Sequence, residues 1–108
     1  MTDTIKISEL NDLLRTTFLT GKVLLTCGIT GLNPETQSRI IEAVQSFTDF
    51  TPDNDPHEEH DFGAVTVDHQ KVFWKIDYYN RTLDGGSEDP ANPDMTSRVL
   101  TIMLASEY

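Results

Sequence analysis

Two short segments, FGAVTVD (62–68) and KVFWKIDYYN (71–80), alternate apolar and polar side chains around a brief polar break. A period of two belongs to a strand with one buried face, and two such runs this close together predict a β-hairpin. His69, Gln70 and Lys71 are the expected turn. In the second strand Val72, Trp74, Ile76 and Tyr78 share one face, while Phe73, Lys75, Asp77 and Tyr79 share the other. A hairpin is not stable alone, so the remaining segments must cover its apolar face.

Those segments read as follows. Ser8 is placed to cap a first helix, with Ile7 as its staple and Leu10, Leu13, Leu14 and Phe18 facing inward until Gly21. KVLLTCGI (22–29) reads as a largely buried strand that includes Cys27. Asn33 is an N-cap and Pro34 a first helical residue for a second helix with Ile40, Ile41, Val44 and Phe47 along one stripe. Asp94 then opens a final helix with Val99, Leu100, Met103 and Leu104 inward and Tyr108 one turn on. The expected fold is one α+β domain over 1–108 in the order α-β-α-β-β-α, a small antiparallel sheet covered by helices.

Charge is the second constraint. The chain carries 18 acids and 8 bases, and 13 of those acids with only 3 bases lie between Glu42 and Asp94. Elsewhere the two signs balance. The acids concentrate in two turn-rich loops, 51–61 and 81–93, which attach to the same end of the hairpin and should lie side by side. A surface this negative argues against direct contact with nucleic acid, which requires bases to displace counterions. It suits docking on a basic protein partner, a nucleic-acid-handling one included, through Asp53, Asp55, Glu58, Glu59, Asp84, Glu88 and Asp89. Solubility alone is the plainer account of the same charge.

Chemistry-bearing patterns are weaker. In NDPHEEHDFG (54–63), His57 and His60 stand three apart in a segment broken by Pro56, so the helical H-E-x-x-H zinc pattern fails. The acids lack calcium-loop spacing, and no metal or cofactor is expected. Asp61-Phe62-Gly63 matches a kinase tripeptide with none of the other kinase elements. Cys27 reads as a small core residue, and CGITG (27–31) offers only a weak anion-binding helix start. No catalytic residue is assigned. The alternative to docking is a small-ligand- or metal-binding site around Glu59, His60 and Asp61, catalytic or not, with Asp77, Tyr79 and Arg98 joining it where the hairpin base would gather them. A nucleotide-sequestering pocket would need Arg98, Arg81 and Lys75 together. The start MTDTIKISEL has no export-signal pattern, no run is long enough to cross a membrane, and the single cysteine forms no internal disulfide, so a cytoplasmic location is expected. The pattern sets no oligomeric state.

NDPHEEHDFG, FWKIDYY, SEDPANPD and TSRVLTIMLASEY, spread over Lys22 to Tyr108, resemble a bacterial domain-of-unknown-function family of small acidic proteins often carried on plasmids and phages. Asn80 stands where that pattern has an aspartate, which weakens a role for a further acid on that strand. The resemblance implies an intracellular domain of mobile-element origin and no established catalytic residue. With the charge distribution, it leads to the expectation of a non-enzymatic inhibitor of host defence that occupies a basic groove as a DNA mimic.

Overall fold

A computed structural model describes residues 2–108. Helix α1 (Thr2–Thr17) is followed by strand β1 (Lys22–Leu25), a one-turn helix α2 (Cys27–Thr30) and helix α3 (Pro34–Gln45). Strands β2 (Phe62–Val67), β3 (Gln70–Tyr79) and β4 (Ser97–Leu104) complete the sheet, and a 3-10 turn (Ala105–Glu107) ends the chain. The fold is α+β, with an open four-stranded sheet in the order β1-β4-β3-β2. β4 pairs antiparallel with β3 and parallel with β1, so the sheet is mixed. No helix among the described residues is long and apolar enough to cross a membrane.

The hairpin forms as its alternation requires, but its turn is Asp68-His69, one residue earlier than expected. Both residues have positive φ, 50° and 67°, the geometry of a two-residue turn whose twist matches the strands. Asp68 is held there by the Thr36 hydroxyl at 2.7 Å and by the Arg39 guanidinium. Asn33 caps α3 by accepting from the Thr36 amide at 2.8 Å, with Pro34 in the first turn. Ile40, Val44 and Phe47 then meet Val72, Trp74 and Ile76 across the core.

Five expectations are corrected. Residues 97–104 form a strand rather than a helix. Val99, Leu100, Met103 and Leu104 satisfy a helical spacing only because this strand is apolar on both of its faces. Val99, Thr101 and Ile102 are β-branched and fit a strand slot between β1 and β3. Asp94 caps no helix; its amide donates to the Asn92 side chain in a local turn. Ser8 likewise is no cap, because α1 begins six residues earlier and the Ser8 hydroxyl donates back to the Ile5 carbonyl at 2.9 Å. The buried stripe of α1 is Ile7, Asn11, Leu14 and Arg15, while Leu13 is exposed. Cys27 is exposed at the start of α2, outside the strand.

All three helices lie on one face of the sheet. Register assigns Val23 and Leu25, Leu100 and Ile102, Val72, Trp74 and Ile76 to that face. Gly63 sits directly across from Trp74, and a β-carbon there would stand 2.5–2.8 Å from the indole Nε1, Cε2 and Cζ2. Trp74 is fully buried and cannot yield. Gly63→Ala should therefore lower stability by about 1–3 kcal/mol, the usual cost of overpacking. Urea unfolding measures it, and an unchanged midpoint would contradict this packing.

Candidate functional site

Both acidic loops are tied to one residue of α1, the first directly and the second through Arg98. Asn11 is fully buried and donates from Nδ2 to the Glu59 carbonyl at 3.0 Å and to the Tyr78 hydroxyl at 2.8 Å. Its Oδ1 accepts from Arg98 Nε at 2.8 Å, and Arg98 Nη2 donates in turn to the Pro90 carbonyl. The Tyr78 hydroxyl donates to Glu59 Oε1 at 2.8 Å, and the Arg98 guanidinium lies over the Tyr78 ring at 5.3 Å. One carboxamide thus ties loop 51–61 to β3 and, through Arg98 of β4, to loop 81–93. Burial pushes the Tyr78 hydroxyl far above its ordinary range and lowers the Arg98 pKa.

A second set of contacts fixes the first loop from beneath. His60 Nδ1 is 3.0 Å from both carboxylate oxygens of Asp12, and its Nε2 lies 3.6 Å from Asp55 Oδ2. The imidazole stacks on Phe50 with ring centroids 3.9 Å apart and an angle of 4°. Asp12 also pairs with Arg15, whose guanidinium is buried, donates to the Val44 and Gln45 carbonyls and faces the Phe50 and Trp74 rings. Glu58 and His60 hold left-handed backbone angles of 58° and 57°. Such angles cost non-glycine residues roughly 1–2 kcal/mol each, which these contacts must offset. With both ring nitrogens turned toward carboxylates, the ring acts as a strut.

The expected residues separate into three groups. Asp53, Glu58, Asp84, Glu88 and Asp89 are exposed. Of these, Asp84 accepts from the Asn80 and Thr82 side chains, which lower its pKa. Asp53, Glu58, Glu88 and Asp89 form no ion pair among the described residues. Asp55, by contrast, is only 5% exposed and accepts from the His60 amide at 3.1 Å, so it cannot meet a partner. Glu59 is half-buried and engaged by Tyr78. Asp55 and Glu59 therefore leave the docking set and join the scaffold that shapes the loop.

The alternative cluster is divided by the sheet. Glu59, His60 and Arg98 contact residues on the helix side, whereas Asp77 and Tyr79 lie on the opposite face, where Asp77 pairs with Lys75 at 3.1 Å. Arg98 and Lys75 are separated in the same way, so the nucleotide pocket does not assemble. Tyr78, Asn11 and Arg15 occupy the places that Tyr79 and an apolar stripe were expected to fill. The signal for them is polar residues at helical spacing, Asn11 and Arg15, between Ile7 and Phe18. No group of three or more His, Cys, Asp or Glu side chains among the described residues is arranged to hold a metal ion. The start of α2 is already filled by Glu107, which accepts from the Thr26 hydroxyl at 2.6 Å and the Gly28 amide at 3.0 Å.

Residues 25–107 match the model of the family described as protein of unknown function (DUF3768), and the chain belongs to that family. No curated protein and no solved structure matches the chain.

Asp61 carries a consequence of its own. Burial, and next the Glu59 carboxylate, hold its carboxyl above the usual range. An acid whose folded-state pKa exceeds its unfolded value makes the native state the tighter proton binder. Its contribution is present at low pH and lost as pH rises through the folded value. Asp61→Asn, which stays neutral, should melt higher than the native protein at about pH 7, with the gap closing toward about pH 3. A thermal melt at both pH values checks the sign; a gap that widened in acid would contradict it.

Proposed function

We propose that the protein is a non-enzymatic interaction protein that docks the acidic end of its fold on a basic partner. What carries the reading is the combination of loops tied down by buried hydrogen bonds with unpaired carboxylates at Asp53, Glu58, Glu88 and Asp89. Ordering the loops in the free protein lowers the entropy cost of association. A net charge of −10 steers the protein toward bases and away from phosphates. The fitting partner is a protein whose basic groove handles nucleic acid. Occupying that groove would inhibit it, the role of a DNA mimic directed by a mobile element against host defence.

A small-ligand site is the second reading. It rests on a cavity of about 270 Å³ bounded by Phe50, Pro52, Asp55, Pro56, Glu58 and His60. Asp53, Glu88 and Asp89 lie outside that cavity, so one variant separates the two readings. Capture from bacterial lysate at low and high salt, followed by mass spectrometry, should retain a basic protein at low salt only. Asp53→Lys, Glu88→Lys and Asp89→Lys together should abolish that capture, because each sets like charge against like across the interface. Capture that ignored salt, or that the triple variant matched, would overturn the docking reading and favour the cavity.

A further inference from the structure

β4 has the sequence of a strand buried on both sides, yet the helices among the described residues lie on one side only. Leu100, Ile102 and Leu104 face the helices, while Val99, Thr101 and Met103 face the other way. Strands apolar on both faces belong to sheets covered on both faces. Val99 and Met103 form a floor that is itself only 7% and 4% exposed, and around it the helix-free face carries Leu24, Leu83 and Tyr79, which are 52%, 45% and 37% exposed. They border a groove of about 540 Å³. Leu83 reaches it from loop 81–93 with φ at 62°, a left-handed angle that an apolar side chain seldom adopts. Phe62, Phe73 and Tyr108 extend the apolar surface, with ring centroids 5.2–6.0 Å apart.

The charge on this face is opposite to that of the rest of the molecule. Three of the four lysines in the chain, Lys22, Lys71 and Lys75, stand on it, and Asp77 is the one acid on its strands. Lys75 is paired with Asp77, Lys71 lies over the Phe73 ring at 5.6 Å, and Lys22 forms no ion pair among the described residues. A second copy stacked on this face would set lysines against lysines. A nucleic acid would have to run past the acidic loops.

We infer that the helix-free face is a second docking surface, for an amphipathic helix of another protein that carries leucine-like side chains on one face and acidic residues along its flanks. The apolar side chains enter the groove between Leu24 and Leu83, and the flanking acids meet Lys22 and Lys75. This is helix-in-groove recognition, with the occupant forming a second layer on that face of the sheet.

The test uses the full chain with methyl-labelled Leu, Val and Met, titrated in an NMR experiment. The probe is a synthetic helical peptide of about 16 residues with Leu on one face and Glu on both flanks. Saturable shifts at Leu24, Leu83, Val99 and Met103 are expected, and Lys22→Glu with Lys75→Glu should weaken binding by about tenfold or more. A Lys-flanked version of the peptide should bind correspondingly more weakly to the native protein. Unchanged Trp74 fluorescence melts confirm that the double variant still folds. Absent shifts on this face, or equal binding of both peptides, would overturn the inference. The same residues shifting with protein concentration alone, or with oligothymidylate, would instead assign the face to a second copy or to nucleic acid.

Discussion

Asn11 takes two donors and an acceptor into a site with no solvent exposure, and every one of them is used. A buried amide left unpaired costs about 1–3 kcal/mol, so its partners are bound to stay in place. Those partners are a loop carbonyl, a strand hydroxyl and an arginine that reaches the other loop. Asn11 thereby couples 51–61 to 81–93, alongside the His60 contacts that fix the first loop and the Thr96 hydroxyl that donates to the Asp89 carbonyl in the second. Arg98 could not be accommodated at 5% exposure without this arrangement, since its guanidinium needs acceptors inside the protein.

The same economy explains how an acidic chain keeps its long loops ordered. Self-repulsion among carboxylates would spread them apart. Asp55 and Asp12 are instead placed on either side of His60, and Glu59 is held by Tyr78. Asp53, Glu58, Glu88 and Asp89 remain outward, with no ion pair among the described residues. On the far face of the sheet, lysines surround an apolar floor. The protein therefore presents two surfaces of opposite charge, the acidic one on loops 51–61 and 81–93 and the lysine-bearing one on the helix-free face of the sheet.

Much of this could be read in the chain before its structure. The hairpin, the Asn33 cap and the Val72, Trp74, Ile76 face follow from alternation and turn chemistry, which act locally. β4 did not, because apolar residues at 99, 100, 103 and 104 fit a helix and a doubly buried strand equally well. Only the presence of β1 and β3 on either side decides between them. The stripe of α1 was misplaced for a related reason. Asn11 and Arg15 look solvent-facing by residue type, yet both are buried because partners distant in sequence, Glu59, Arg98 and Val44 among them, satisfy them. Residue type alone also places Asp55 on the surface, whereas it is 5% exposed. The sheet likewise divides residues that a linear view had gathered, with Asp77 and Tyr79 on one side and His60 and Arg98 on the other.

Hydrogen exchange in Asn11→Ala tests the central claim, that one carboxamide couples the two loops. The amides of His60 and Asn92, one in each loop, donate to Asp55 and Asp89 acceptors in the native protein. Both should lose protection together in the variant, while Trp74 and Ile102 in the sheet exchange as slowly as before relative to the variant's global stability. Loss of protection confined to one loop, or to neither, would show that the loops are held independently and would contradict the account.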